Sequence, residues 1–334
     1  MNKLEKYYNI FPAFYACYDD NGEVSPKRIQ ELTEHLIKKG VKGVYVNGSS
    51  GECIYQSVED RKIILENVMK AAEGKLTVIA HVACNNTKES KITLENIMEA
   101  AKGRLTVIAH VACNNTKDSV ELARHAESLG VDAIAAIPPI YFHLPEYSIA
   151  EYWNAISNAA PNTDFIIYNI PQLAGTALTL PLLRTMRKNP NVVGVKNSSM
   201  ATQDIQMFKA EGGEDFVVFN GPDEQLVSGL AIGAQGGIGG TYGVMPELIL
   251  KIKELTDAGD LKSARNVQNA VDSVIYKMCE AHGNLYAVIK KILEINEHLC
   301  IGSVRAPLSP LTENDVHIAE TAAEMIRDAI KKYC

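Results

Sequence analysis

Short apolar runs alternate with amphipathic helical stretches along most of this chain, and this alternation restricts the fold more than any other feature. Each run is rich in β-branched residues and apolar on both faces, which is typical of parallel strands covered by helices. Eight such runs, each followed by a helical stretch, favour closure into a (β/α)8 barrel. The runs are IFPAFYA (10–16), GVYVNG (43–48), TVIAHVA (77–83, again at 106–112), DAIAAIP (132–138), FIIYNI (165–170), VVGVKN (192–197), FVVFNG (216–221) and QGGIGG (235–240).

The helical stretches have recognisable ends. Ser25 and Pro26 predict a cap and a first helical position, and Gly40 predicts the end of that helix. Ser57 lies three residues before Asp60, a variant of the capping box.

The domain organisation predicted from this pattern is a barrel over 1–250, followed by helices alone. Residues 251–334 are expected to hold the rest of the eighth helix and a C-terminal helical extension. No G-x-G-x-x-G motif follows the first strand, which weakens a dinucleotide-binding interpretation.

A 29-residue segment occurs twice in succession, as 62–90 and 91–119, with 23 identical positions. Each copy is one helix plus one strand, so two copies in the wall make nine strands. Strand number, tilt and stagger are linked in a closed barrel. We therefore expect one copy to complete the barrel and the other to be extruded on the surface or exchanged between subunits. A duplication made during gene assembly is an equal alternative.

Charge and composition exclude several classes of protein. The net charge is −7 with acidic and basic residues interleaved, so we expect no nucleic-acid partner, which requires a basic face. No apolar run suits a signal peptide or a bilayer span, which predicts no membrane partner. The eight histidines are dispersed, and neither a metal site nor a cofactor is expected.

The cysteines are scattered, odd in number and without a C-x-x-C pair, which argues against a disulfide framework or a zinc knuckle. A reduced, cytoplasmic setting is therefore expected. The seven are Cys17, Cys53, Cys84, Cys113, Cys279, Cys300 and Cys334.

Barrel enzymes carry their active sites at the carboxyl ends of the strands. The second strand ends in NGSSGE (47–52). There, two glycines and the hydroxyls of Ser49 and Ser50 suit a carboxylate or phosphate. An ordinary Gly/Ser turn is the alternative.

The fifth and sixth strands end in IIYNIP and GVKNSS, which contain Tyr168 and Lys196. A separation of one βα unit makes these strands neighbours, about 4.8 Å apart. Lys196 could instead extend to solvent, and Tyr168 could simply pack the barrel. Together they indicate chemistry: a lysine amine in an apolar pocket can attack a ketone, and a tyrosine within reach can move the proton.

The seventh strand ends in NGPDEQ, which brings Asp223 and Glu224 to the same rim. Carboxylates accept several hydrogen bonds, so they suit a polyol chain. A two-carboxylate glycosidase is the competing interpretation, but it leaves Lys196 and the serine turn without a role.

The motifs GSSGE, YNIP, GVK, NGPDE and GGIGGTYG occur in the order and spacing of a known family. The chain resembles the N-acetylneuraminate lyase and dihydrodipicolinate synthase family of pyruvate-dependent class I aldolases, which are TIM barrels. The resemblance extends from about residue 8 to the C-terminus and is interrupted by one copy of the repeat.

The resemblance implies a role for each matching residue. Lys196 would form the Schiff base, Tyr168 would transfer protons, and Ser50 and Tyr141 would complete the catalytic set. Ser198 would stand near the bond being broken. The substrate-binding residues implied are Ser49, Ser50, Gly51, Ser198, Gly221, Asp223, Glu224 and Gly240.

Tyr141, in PPIYFHLP, matches an aromatic residue that family members insert toward a neighbouring subunit's site. The resemblance therefore also implies a homotetramer.

The expected reaction is reversible cleavage of N-acetylneuraminate to N-acetylmannosamine and pyruvate. The synthase branch has an arginine shortly after YNxP, whereas this chain reads YNIPQLAGTALT. Gly240 and Gly243 replace a serine and an asparagine of the lyases. Another 2-keto-3-deoxy sugar acid is therefore the first alternative and dihydrodipicolinate synthase the second. A barrel that binds metabolites without turnover is the non-enzymatic alternative.

Overall fold

The structure, a computed structural model, describes residues 4–81, 87–101 and 106–334. Cys84 and the other residues of 82–86 and 102–105, which belong to the repeat, lie outside the described residues. The chain divides into two compact units. Unit 1 takes its residues from Met1–Asn9, Val78–Pro222 and Ser228–Ile238, and unit 2 from Ile10–Thr77, Asp223–Val227 and Gly239–Cys334. The domain boundary at residue 250 stays a prediction.

The described residues contain nine strands, each short and most of them buried. The strands are β1 (Ile10–Pro12), β2 (Gly43–Val46), β3 (Thr77–Ala80), β4 (Ile108–His110), β5 (Ala133–Ala136), β6 (Asp164–Asn169), β7 (Val192–Asn197), β8 (Val217–Asn220) and β9 (Gly236–Gly239). Within unit 1, strands β4 to β9 form one sheet in chain order, with parallel neighbours. All their carboxyl ends therefore lie at one edge of this sheet.

A helix follows every strand. The helices are α1 (Pro26–Lys38), α2 (Val58–Ala72), α3 (Thr87–Ala101), α4 (Thr116–Ser128), α5 (Glu146–Asn158), α6 (Pro171–Ala174), α7 (Leu180–Met186), α8 (Thr202–Gly212), α9 (Leu226–Ala231), α10 (Pro246–Asp257), α11 (Leu261–Met278), α12 (Leu285–Glu297) and α13 (Val316–Tyr333). The helical character predicted for the C-terminal part is confirmed. No described helix combines the length and the apolar character that crossing a bilayer requires.

The helix ends follow the predicted local chemistry. Ser25 caps α1 by accepting the Arg28 amide, and proline occupies the first turn. Ser57 and Asp60 form a reciprocal capping box at the start of α2. Gly40 has φ +87°, a left-handed conformation that suits glycine after a helix.

The two copies of the repeat both contribute buried strands. Val78 of β3 and Ala109 of β4 are fully buried. In unit 2 the Thr77 amide at the start of β3 donates to the Lys42 carbonyl (2.8 Å), and in unit 1 strand β4 pairs with β5. The expectation that one copy is extruded is therefore wrong: both strands are equally apolar, and burying each is favourable. Exchange between subunits stays a hypothesis.

In unit 2, a buried ion pair joins α12 to the turn after β2. Lys290 Nζ donates to Glu52 Oε1 at 2.8 Å, with the side chains 1% and 0% exposed. Lys290 also donates to the Ser303 carbonyl (2.6 Å), and Glu52 accepts the Arg305 amide (2.8 Å). Because a buried charge is stable only when it is paired and hydrogen-bonded, these contacts hold the backbone around Glu52.

Breaking this pair should destabilise the protein strongly. Lys290→Met leaves Glu52 buried without its counter-charge, so we expect the free energy of unfolding to fall by about 3–5 kcal/mol. Lys253→Met, at an exposed pair with Asp257 on α10, is the control and should lower it by less than about 1 kcal/mol. Urea denaturation measures both. Equal losses in the two variants would contradict the prediction.

Candidate active site

Tyr168 and Lys196 lie side by side at the carboxyl edge of the unit 1 sheet. They are direct partners across β6 and β7. Lys196 Nζ donates to the Tyr168 hydroxyl at 3.1 Å and lies 4.4 Å from the centre of its ring. Both side chains are half-buried. The neighbourhood predicted from their spacing is confirmed, and it places an amine and a phenol within proton-transfer distance.

A β-bulge creates this register. Phe165 partners Val192, whereas Ile166 partners Gly194, so β7 holds one extra residue. The shift sets Lys196 opposite Tyr168, and without it Tyr168 would face Val195. A Cβ on Gly194 would lie 2.7 Å from the Val217 carbonyl oxygen. Glycine at this position therefore allows the neighbouring strand to approach closely.

Ser198 and Gly221 lie just beyond the ends of β7 and β8. A Cβ on Gly221 would lie 2.3 Å from Ser198 Oγ, so glycine leaves room for the serine hydroxyl. The Gly221 amide donates to the Asn197 carbonyl (2.8 Å), and the Ser198 amide to the Asn169 carbonyl (2.8 Å). The structure therefore brings these two predicted site residues to the same edge as Lys196.

Three buried asparagines end β6, β7 and β8, and sequence reasoning did not single them out. Asn169 Nδ2 donates to Asn197 Oδ1 (2.6 Å), and Asn169 Oδ1 accepts the Leu178 amide (2.9 Å). Asn220 Nδ2 donates to the Pro222 carbonyl (2.7 Å). Buried amides with these partners anchor the loops after the strands. The signal was an asparagine closing each of three apolar runs.

His110 is a further residue at this edge that sequence reasoning did not assign to the site. It ends β4, is 5% exposed, and its ring lies edge-on to that of Tyr168, with centroids 6.1 Å apart. The ring of His81, its counterpart in the first copy, stacks on it at 4.7 Å.

In unit 2, the serine motif forms a short 3-10 turn, Ser49–Gly51, directly after β2. The Gly51 amide donates to the Gly48 carbonyl (3.0 Å), so this N–H closes the turn. Ser50 is buried and its Oγ donates to the hydroxyl of Tyr286 (2.9 Å). The Gly51 amide and the Ser50 hydroxyl are therefore both engaged within unit 2.

Asp223 is buried in unit 2 and held by Thr241. Its Oδ2 accepts the Thr241 amide (2.6 Å) and hydroxyl (2.7 Å). Burial raises the pKa of this carboxyl to about 6, with a smaller contribution from the charge of Glu224. Glu224 is half-buried on the same 3-10 turn. Asp223 therefore anchors the backbone after β9, and a shared substrate role for the two carboxyls stays a prediction.

Gly240 lies near two hydroxyl groups, that of Ser50 in the serine turn and that of Tyr286 in α12. A Cβ there would be 3.3 Å from Ser50 Oγ and 3.3 Å from the Tyr286 hydroxyl. The hydroxyl of Tyr15 donates to the Gly240 carbonyl (2.9 Å). Tyr286 was missed because it lies in the first turn of a distant helix, and its contact with Ser50 depends on tertiary packing.

Tyr141 protrudes from the loop after β5 in unit 1. It is 91% exposed and has φ +89°, and its ring packs edge-on against that of Phe142 (5.1 Å). No described contact joins Tyr141 to Tyr168 or Lys196 of the same chain.

Lys196 and Tyr168 together offer an amine nucleophile and a phenolic acid/base. Among the described residues, no group of three or more histidine, cysteine, aspartate and glutamate side chains is placed to hold a metal ion. The described thiols of Cys17, Cys279, Cys300 and Cys334 are free.

Comparison with protein families finds one match that spans most of the chain. The dihydrodipicolinate synthetase family matches residues 6–95 and 88–325. The two segments overlap inside the repeat, as expected when a chain of this family carries one helix–strand segment twice.

Individual relatives match over nearly the whole length. The N-acetylneuraminate lyase of Mediterraneibacter gnavus is 64% identical over 333 residues, which is 100% of this chain and 96% of the relative. The wild-type sialic acid aldolase of Ruminococcus gnavus is 64% identical, with a TM-score of 0.81 over 98% of this chain and 100% of that one. A catalytic-lysine mutant of that aldolase is 62% identical, with a TM-score of 0.81 and complete coverage of both chains.

The family match, the extent of these similarities and the strand–helix order agree with the predicted architecture. The chain belongs to the dihydrodipicolinate synthetase family and has a (β/α)8-barrel fold in which one helix–strand segment is present twice.

Proposed function

We propose that this chain is an N-acetylneuraminate lyase, a class I aldolase that reversibly cleaves N-acetylneuraminate to N-acetylmannosamine and pyruvate. The observation that carries the proposal is the 3.1 Å contact between Lys196 Nζ and the Tyr168 hydroxyl. The 64% identity to the Mediterraneibacter gnavus lyase over the whole chain supports the choice of substrate.

Lys196 supplies the nucleophile in this mechanism. Its amine attacks the ketone carbon of the open-chain sugar acid, water leaves, and a protonated imine forms. The imine nitrogen accepts the electron pair of the breaking carbon–carbon bond. N-acetylmannosamine then departs as the aldehyde, and an enamine of pyruvate remains, which is protonated on carbon and hydrolysed to pyruvate and the free amine.

Tyr168 moves the proton that this cleavage releases. The hydroxyl next to the breaking bond must lose its proton as the aldehyde forms. The Tyr168 oxygen is placed to relay it: it accepts this proton as its own O–H proton passes to the carboxylate of the keto acid. Ser198, beyond the end of β7, supplies a hydroxyl near that bond. Gly221 keeps the space beside Ser198 open.

The remaining site residues bind the two ends of the substrate. Ser49 and Ser50, with Gly51 shaping their turn, hold the carboxylate of the keto acid. Asp223 and Glu224 accept hydrogen bonds from the sugar's hydroxyl tail.

Gly240 favours a second candidate substrate. It lacks the serine hydroxyl that the lyases carry there, and its Cβ position faces the hydroxyls of Ser50 and Tyr286. Another 2-keto-3-deoxy sugar acid with a different hydroxyl tail is therefore the alternative to test.

The protein is expected to work as a cytoplasmic homotetramer without a cofactor. The exposed ring of Tyr141 supports a subunit contact, and insertion of this ring into a neighbour's site follows the family resemblance.

The first experiment is borohydride trapping with pyruvate, followed by peptide mapping. The wild type should form a stable adduct on Lys196, and Lys196→Ala should form none and lose turnover, because no other group replaces the imine. Lys188→Ala, which removes an exposed amine of the same unit, is the matched control and should react normally.

Substrate assays then separate the branches. Release of pyruvate from N-acetylneuraminate, without condensation of pyruvate with aspartate semialdehyde, supports the lyase. The reverse pattern, or substantial turnover by Lys196→Ala, would contradict it. A folded wild type without any adduct would indicate a binding protein.

Tyr168→Phe should retain the Lys196 amine but lose the proton carrier. We expect kcat for N-acetylneuraminate cleavage to fall by about 10²–10⁴-fold, the range of general acid–base catalysis. Tyr276→Phe, at a tyrosine that is 64% exposed, is the control. A kcat for Tyr168→Phe within a few-fold of wild type would exclude tyrosine as the carrier.

Asp223 should make sugar-acid binding depend on pH. Because burial raises its pKa to about 6, the carboxyl becomes protonated as the pH falls through that value and then accepts fewer hydrogen bonds. KM for N-acetylneuraminate should therefore rise below about pH 6. In Asp223→Asn, KM should be high and should lack this transition, and a transition that persists in the variant would assign it to another group.

A further inference from the structure

The carboxyl edge of β4 carries an aromatic side chain that the mechanism above does not use. His110 is buried and lies edge-on to Tyr168, with ring centroids 6.1 Å apart and planes at 89°. This is a preferred geometry for two aromatic rings. Tyr168 is therefore contacted from β4 by His110 and from β7 by Lys196.

The ring of His110 is itself held in place. The Ile137 amide, just after β5, donates to His110 Nε2 (3.3 Å). An acceptor nitrogen carries no proton, so the neutral imidazole has its proton on Nδ1.

The repeat supplies a second histidine in an identical local sequence. Residues 76–88 and 105–117 are the same, LTVIAHVACNNTK, and place His81 and His110 at equivalent positions. The ring of His81 stacks on the ring of His110, with the two centroids 4.7 Å apart. The contact with Tyr168 belongs to His110.

We propose that His110 is a positioning residue for Tyr168, and that the second copy of the repeat therefore serves the active site, whereas His81 of the first copy stacks on His110. The inference rests on the proposed function, in which Tyr168 transfers a proton. Its physical basis is that the ring of His110, fixed by Ile137, restricts the ring of Tyr168 and so keeps the phenol next to Lys196 Nζ. Misplacing a reacting group by about 1 Å can lower a rate by about 10²-fold.

The test compares His110→Ala, His110→Phe and His81→Ala in the full chain. His110→Ala should lower kcat for N-acetylneuraminate cleavage by about 10–100-fold with little change in KM, because the phenol loses its orientation. His110→Phe restores the aromatic edge, so kcat should return to within about three-fold of wild type. His81→Ala removes a ring that stacks on His110 but leaves the contact between His110 and Tyr168, so kcat should fall less than in His110→Ala.

Several outcomes would overturn the inference. Equal kcat in His110→Ala and His81→Ala would remove the distinction between the copies. A His110→Phe variant as slow as His110→Ala would mean that the ring nitrogens, and not the ring contact, are needed. If His110→Ala does not fold, His110→Leu replaces it, and a kcat equal to that of His110→Phe would show that ring geometry is irrelevant.

The rate of borohydride trapping with pyruvate gives a second readout that needs no sugar acid. The same order of variants is expected, because proton transfer also accompanies imine formation. If the wild type traps pyruvate and the variants trap it at the same rate, the positioning role of His110 is wrong but the proposed function is not affected. A wild type that traps no pyruvate defeats the proposed function.

Discussion

The register between β6 and β7 is the constraint on which the site depends. In parallel strands, residues that partner each other place their side chains on the same face, and a slip by one residue reverses that face. The bulge between Phe165 and Ile166 shifts the pairing by one residue, so that Tyr168 partners Lys196. Bulges commonly re-aim side chains beside active sites. Here the extra residue in β7 brings the amine to the phenol.

Buried polar side chains then anchor the backbone at the carboxyl ends of the strands. Asn169 and Asn197 bond to each other at the ends of the same two strands, and Asp223 holds the Thr241 backbone and hydroxyl in unit 2. Each such group would destabilise the fold if it lost its partner. The loops that carry the proposed substrate contacts are therefore anchored by buried polar side chains.

Local signals in the sequence were enough to predict much of this arrangement. Ser57 and Asp60 determine their helix start by bonding to each other, and a spacing of one βα unit made the strands of Tyr168 and Lys196 neighbours. The bulge was not predictable, because it lies in the pairing of β6 with β7, whose partner residues are far apart in the chain. Likewise, the contact of Tyr286 with Ser50 joins residues far apart in the chain.

The repeat shows the limit of local information most directly. His81 and His110 have identical neighbours over 76–88 and 105–117, so no local rule can distinguish them. Pairing distinguishes them: β4 pairs with β5, and the Val111 amide continues that ladder by donating to the Ala135 carbonyl (2.9 Å). His110 is carried on this strand to the edge where Tyr168 lies. Tyr168, Lys196 and Ser198 follow the duplicated segment in the chain. Because β6 pairs directly with β7, their mutual register does not depend on the length of that segment.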